Sequence, residues 1–205
     1  TKNGIIKKTS LEAYSRPRQN GVKAITIKEN DQVIEVRLTD GDSEVLMANR
    51  NGRAIRFHEE RVRGMGRTAT GVRGMRLDED PEDEVVGMIT IKPSEEEHVL
   101  VVSQQGYGKR SELEDYRITN RGGKGVKTIN ITEKTGKLVT IKNVTDENDL
   151  MIINKSGITL RMKVADMRVM GRATQGVRLI NLDKRNDEIA SVCKVLSEDE
   201  EEIEN

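Results

Sequence analysis

The sequence predicts an all-β protein built from repeated, propeller-like blades. Three observations carry that reading. Glycines recur at regular intervals along the 205 residues, short runs rich in Val, Ile and Thr lie between them, and apolar content is low. Hydrophobic residues make up 34% of the chain and aromatics 2%. That is too little for one thick core, and it suits several thin ones stacked in series.

The first element to justify is a turn. "KNGIIKKTSLEAY", "RNGRAIRFHEERV", "QQGYGKRSELEDY" and "KSGITLRMKVADM" superpose on Gly4, Gly52, Gly106 and Gly157, spaced 48, 54 and 51 residues apart. Each glycine follows Asn, Gln or Ser, as in a hairpin turn that needs positive φ. Ten residues further on, Tyr14, Val62, Tyr116 and Met167 share one apolar slot and are read as core.

A second anchor follows in "NGVKAITI", "TGVRGMRL", "KGVKTINI" and "QGVRLINL". Gly21, Gly71, Gly125 and Gly176 each precede a Val and then a base, 19 residues past the first anchor in three repeats and 17 in the first. The strands are the runs between turns: "AITI", "QVIEVRL" and "EVLMAN", then "VVGMITI" and "HVLVVSQ", then "KTINI", "KLVTIKNV" and "DLMIINK". Their β-branched content and their boundaries at "NG", "SG" and "DGD" mark strands joined by turns. About four strands per unit of roughly 50 residues is the arithmetic of a blade. The repeats are expected at about 1–48, 49–102, 103–153 and 154–196, with an acidic, disordered tail over 197–205. The chain opens on "TKNG" without Met and reads as a piece of something longer.

Charge is balanced in number but not in place. Lys and Arg total 35, Asp and Glu 35, yet "EDEEEIEN" (Glu198–Asn205) holds six acids and leaves the rest at +6. Bases gather around the glycines. "RGMGRTATGVRGMRL" (63–77) and "RVMGRATQGVRLINL" (168–182) are near copies 105 residues apart. Four residues past each first anchor stand Lys8, Arg56, Arg110 and Arg161; two past each second anchor stand Lys23, Arg73, Lys127 and Arg178. Four before the second anchor stand Arg67, Arg121 and Arg172, for which the shorter first repeat offers Arg16 and Arg18. A base in the same slot of every blade makes a belt of positive charge, matched to the phosphates of a duplex and indifferent to base sequence. Glycine beside such bases lets phosphate approach backbone N–H groups. Single-strand binders stack bases on aromatic rings, and four aromatics in all favour duplex over single strand.

The composition excludes much else. A lone Cys193 rules out an internal disulfide framework and suits a reducing cytoplasm. No apolar run reaches the roughly 20 residues of a membrane-spanning helix. His58 and His98 are isolated, no Cys/His cluster has metal spacing, and "GMGRTATG" lacks the Gly-Lys-Ser/Thr ending of a nucleotide-binding loop. "DEDPEDE" (Asp78–Glu84) does not match a calcium loop and is read as a solvated turn. No catalytic residue, cofactor site or small-molecule substrate is expected in this chain.

These residues also resemble a known family. "MGRTATGVRGMRL", "GYGKRSELEDYRITNRGGKGVK" and "MGRATQGVRLINL" are similar to the C-terminal domain of gyrase A, the DNA-wrapping component of DNA gyrase, and the likeness runs nearly to the acidic tail. The resemblance implies a β-pinwheel of about four blades here, a fragment of a roughly six-bladed domain that wraps duplex DNA on its basic rim. It implies phosphate contacts at Lys8, Arg16, Arg18, Lys23, Arg56, Arg67, Arg73, Lys109, Arg110, Arg121, Gly122, Gly123, Lys124, Lys127, Arg161, Arg172 and Arg178. The signature box of the family (Gln, a base, two glycines, a base, glycine) has its nearest match in "NRGGKG" (Asn120–Gly125), with Asn for Gln, in the third repeat instead of the first. By the same resemblance the partners are duplex DNA, the gyrase A strand-passage core and gyrase B in a heterotetramer, in a bacterial, nucleoid-associated cytoplasmic setting. ATP and Mg would belong to other parts of an ATP-dependent type II topoisomerase. Two alternatives stand beside this one: the equivalent domain of topoisomerase IV, and a propeller-like protein-interaction scaffold.

Overall fold

Each first-anchor glycine after Gly4 sits at the tip of a hairpin. The computed structural model describes residues 1–182 and 186–197. The chain opens with β1 (Ile5–Ile6) and a 3₁₀ turn at Leu11–Tyr14. The second unit runs β2 (Glu44–Asn49), β3 (Arg53–His58), a 3₁₀ turn at Glu59–Arg61, β4 (Val72–Arg73) and β5 (Val85–Ile91). The third runs β6 (His98–Ser103), β7 (Tyr107–Glu112), a 3₁₀ turn at Leu113–Asp115, β8 (Val126–Lys127) and β9 (Leu138–Val144). The fourth has β10 (Asn148–Asn154), β11 (Thr159–Lys163), β12 (Val177–Arg178) and β13 (Ile189–Leu196). Repeats counted from the anchor glycine therefore cut each blade at its hairpin; the sheets place the divisions a strand earlier.

The strand order contains the main feature of the fold. One sheet is β5-β2-β3-β8, the next is β9-β6-β7-β12, the last described is β13-β10-β11, and β1 pairs β4. All of these pairings are antiparallel. The short strand at each second anchor thus leaves its own blade and closes the edge of the preceding one. Val126 pairs Ala54, Val177 pairs Gly108 and Val72 pairs Ile6. Further backbone bonds tie the return strands to the blade before: Val85 N donates to Lys2 O (2.7 Å), Leu138 N to Arg50 O (2.9 Å) and Ile189 N to Gln104 O (2.8 Å).

Apolar packing follows the same plan. Alternate residues of a central strand face opposite neighbours. Val45 and Met47 join Phe57, Val62 and Met75 in a cluster toward the first blade. Leu46 and Ala48 join Ile89, Val99, Val101 and Tyr116 toward the third. Leu100 and Val102 then meet Leu150, Ile152, Val164 and Met167 of the fourth. Central strands are covered on both faces, as β2 is at all six positions. Val62, Tyr116 and Met167 lie in these clusters at 3%, 0% and 4% exposure, so the shared slot is core, while Tyr14 is half-buried.

Two expectations need correction. "AITI" and "QVIEVRL" form no strand: residues 24–40 carry no regular structure. The physical reason is that Val33–Leu38 make no backbone hydrogen bond among the described residues, for want of a neighbouring strand. The acidic turn "DEDPEDE" is also more than solvated surface. Asp83 is buried and accepts from Asn49 Nδ2 (2.7 Å), Asn51 N (3.1 Å) and Asp78 N (3.0 Å). Asp187 holds Ser156 in the fourth blade in the same way. The tail expected over 197–205 lies, from residue 198 on, outside the described residues.

The close approach of one blade's backbone to the next is what the second-anchor glycine permits. A methyl group on Gly176 (φ 82°) would sit 2.6 Å from the carbonyl oxygen of Gly108. Gly176→Ala should therefore destabilise the protein by more than about 1 kcal/mol, measured by urea unfolding, and should loosen the β12–β7 pairing in hydrogen exchange.

Candidate nucleic-acid interface

The short donated strands carry the base at their outer end. Lys23, Arg73, Lys127 and Arg178 are all exposed. Three of these four positions lie on donated strands, whose Val residues anchor them and leave the base pointing outward. Arg178 also leans on Tyr107: its Nη2 donates to the phenol oxygen at 3.0 Å, and its guanidinium carbon lies 5.4 Å from the ring centre.

The arginine four before each second anchor joins one outward base to the next. Arg67 Nη1 donates to Lys23 O at 3.4 Å. Arg121 Nη1 donates to Arg73 O at 2.9 Å, with Nε on Arg61 O at 2.8 Å. Arg172 Nη1 donates to Lys127 O at 2.7 Å, with Nε on Asp115 O at 2.8 Å. In each case the acceptor is the main chain of the base one blade earlier. The outcome is a single chained series, Lys23–Arg67, Arg73–Arg121, Lys127–Arg172 and then Arg178, along one edge of the array. In Arg121 and Arg172 the remaining Nη2 has no partner among the described residues, and two backbone bonds fix the plane in which it is presented.

The box "NRGGKG" is locked into this edge. Gly122 N donates to Gly74 O at 2.6 Å and Arg76 N to Gly123 O at 2.9 Å. The Gly122 amide is therefore occupied inside the fold, which corrects its assignment as a phosphate-facing N–H. Gly123 is exposed. Lys124 is at the surface and pairs with Asp78 at 3.0 Å. Arg16 and Arg18 are exposed in the loop before Gly21.

Several predicted contacts are turned inward. Lys109 is 0% exposed and Arg110 6%. Arg110 Nε donates to Met167 O at 2.6 Å and its Nη1 pairs with Asp146. Arg56 places Nε on Glu44 Oε2 at 2.6 Å and Nη1 on Leu113 O and Tyr116 O at 2.8 and 2.9 Å. Lys8 donates to Glu59 O at 3.1 Å, and Arg161 Nε to Asp149 Oδ2 at 2.7 Å. The base four past the first anchor is thus an internal tie: Lys8, Arg56 and Arg110 bind the following blade's 3₁₀ segment or the turn that takes its place, and Arg161 its own blade. Arg56, Lys109 and Arg110 are corrected from surface contacts to structural bonds; Lys8 and Arg161 keep partial exposure but are ion-paired.

One functional position escaped sequence reasoning. Lys7 stands three residues past Gly4, as Lys109 stands three past Gly106. Lys7 Nζ donates to the carbonyls of Ala24 and Arg67, and Lys109 Nζ to Gly171 O (2.7 Å) and Arg172 O. Both lysines brace the loop of the next blade that presents the chaining arginine. Those loops are "MGRTATG" and "MGRATQG", the near copies. In the second repeat the slot holds Ile55, which lies against Gly123 of the different loop "NRGGKG". The signal was present in the sequence: lysine in the slot goes with one loop type, and isoleucine with the other.

Burial pushes the Lys109 ammonium down to about 7, Asp115 nearby opposes the shift, and Arg172 reinforces it. Lys7 is lowered by burial and then by Arg67.

An array of blades that close one another's edges, with a chained basic edge, defines a β-propeller-class module suited to a linear polyanion. The sequence model of the DNA gyrase C-terminal domain, a β-propeller, matches residues 1–40, 43–92, 97–145 and 148–193. The chain belongs to that family. It is 46% identical over 205 residues to the gyrase A protein of Staphylococcus aureus (strain MRSA252), covering 100% of this chain and 23% of that protein. The chain thus spans about a quarter of the length of the curated relatives it matches. Among solved structures, a topoisomerase IV C-terminal domain superposes with TM-score 0.88 at 30% identity, over 97% of this chain and 61% of the other. A DNA gyrase A C-terminal domain superposes at 0.82 and 26% identity, over 95% and 64%.

With an ordinary lysine at 10.5 and the folded value about 7, the unfolded chain binds a proton that the folded chain releases between those pH values. Stability must then rise with pH across that window. Relative to Lys109→Met, the wild-type unfolding free energy should climb between about pH 7 and pH 10 and stay level below it. Urea titrations of both proteins across that range check the sign.

Proposed function

We propose that this module binds duplex DNA along its basic edge and bends it around the array, without chemistry of its own. The observation that carries the reading is the arginine-to-carbonyl chain, in which each of Arg67, Arg121 and Arg172 is fixed against the outward base of the preceding blade. Neutralising phosphates releases counterions and gives affinity that depends on salt and not on sequence. A base held by two backbone acceptors loses little entropy on meeting phosphate. Successive contacts along the array then favour a duplex that follows it.

In the full-length protein, the module is proposed to present wrapped DNA to a strand-passage core that works with gyrase B in a bacterial cytoplasm. Negative supercoiling driven by ATP would result, with nucleotide and Mg held elsewhere and no cofactor in this chain. The topoisomerase IV reading has support from the higher TM-score of that domain, 0.88 against 0.82. The gyrase reading is preferred for the box "NRGGKG" and for the 46% identity, along the whole chain, to the gyrase A protein of S. aureus.

Two outcomes are expected. Ligating nicked circular DNA in the presence of the protein should shift the linking-number distribution toward positive writhe; binding without a shift would reduce the module to a grip, and no binding at low salt would end the proposal. Arg73→Glu combined with Lys127→Glu should weaken binding equally for unrelated duplexes and reduce the salt slope by about two. An unchanged slope would remove those two residues from the contact.

A further inference from the structure

A second row of bases runs beside the chained edge. Arg63, Arg117 and Arg168 each stand directly after a residue of the shared core slot, Val62, Tyr116 or Met167. The first repeat has Ser15 at that place. All three arginines are exposed, and their side chains have no partner among the described residues. The backbone fixes where they lie. Gly64, Ile118 and Val169 form parallel bridges to Lys8, Arg56 and Arg110 of the preceding blade. Met65 N donates to Lys8 O (2.8 Å), Thr119 N to Arg56 O (2.9 Å) and Met170 N to Arg110 O (2.9 Å). The outward bases Arg73, Lys127 and Arg178 pair with Ile5, Arg53 and Tyr107, three positions earlier on the same stretches of chain. At roughly 3.4 Å per residue, the two attachments lie about 10 Å apart at every junction.

Both attachments face the same way. Tyr116 and Val126 pack on one core cluster, and Val62 and Val72 on another. Val62 and Tyr116 have extended backbone, so the residue after each turns away from the core, as Arg73 and Lys127 do. The chaining arginines run from one row to the other. Arg121 reaches from Arg61 O, two residues before Arg63, to Arg73 O; Arg172 reaches from Asp115 O, two before Arg117, to Lys127 O. Between the rows Ile118 and Val169 are 57% and 39% exposed. Two parallel rows of positive charge with an apolar strip between them match the two backbones of a duplex, with sugar and base edges between. On the duplex-binding reading above, we propose that Arg63, Arg117 and Arg168 are a second row of phosphate contacts, so that each junction straddles one groove and holds both backbones at once.

The test compares two duplexes, one fully charged and one in which a single strand carries uncharged methylphosphonates throughout. On the charged duplex, the triple variant Arg63→Ala, Arg117→Ala and Arg168→Ala should lower the salt slope of binding by about three. Changing the same three residues to Lys should leave the slope as in wild type. On the half-neutral duplex only one backbone is left to hold, so wild type and the triple Ala variant should show equal slopes. A difference below about one on the charged duplex would overturn the proposal. So would an undiminished difference on the half-neutral duplex, because both rows would then grip one strand. A Lys variant that behaves like the Ala variant would also overturn it, since packing and not charge would be at work. Each of these outcomes leaves the duplex reading standing. Wild type that fails to bind the charged duplex at low salt ends that reading, and the second row with it.

Discussion

The exchange of a two-residue strand between neighbouring blades is the constraint on which the rest of this molecule depends. Val72–Arg73, Val126–Lys127 and Val177–Arg178 each pair with a strand of the preceding blade, far back in the chain: Val72 with Ile6, Val126 with Ala54 and Val177 with Gly108. The glycine before each strand must pass against the earlier blade's carbonyl, so its side chain is limited to hydrogen. The valine has to enter the interface and the base has to leave it. One backbone geometry therefore dictates the sequence Gly-Val-base and the outward direction of the charge.

Second-level ties reinforce the exchange. The base four past the first anchor reaches the 3₁₀ segment of the next blade, as Arg56 reaches Leu113 and Tyr116. The Arg56 and Arg110 guanidinium groups are largely shielded from water there. Losing one partner there leaves a desolvated charge, so such ties hold blades in register even where their net contribution to stability is small. Lys7 and Lys109 work from beneath the loop, joining the interior to the residues at the edge.

Much of this was legible in the chain, and the failures have physical causes. The anchor glycines and the apolar slot of Val62, Tyr116 and Met167 were readable because turn geometry and burial act on single positions. Strand exchange was not, since two residues pairing across a long loop leave no local pattern. Arg56 and Arg110 were misread because periodicity fixes how often a base recurs and not which way it faces. A carbonyl of a neighbouring blade and a phosphate both accept from a guanidinium. "QVIEVRL" has every property of a strand, yet alternation establishes the face and not the presence of a ladder partner. Lys7 was overlooked because a lysine beside another lysine looks like solvated surface.

Strand exchange also gives the array a direction. Every blade gives to the one before it what it receives from the one after, so the two ends of the series are chemically unlike. A new unit can be inserted at any junction without altering the junctions on either side, since each asks of its neighbour the same glycine, valine and base. The length of the charged edge is consequently quantised: duplication of a unit lengthens it, and loss of a unit shortens it, by one whole blade at a time.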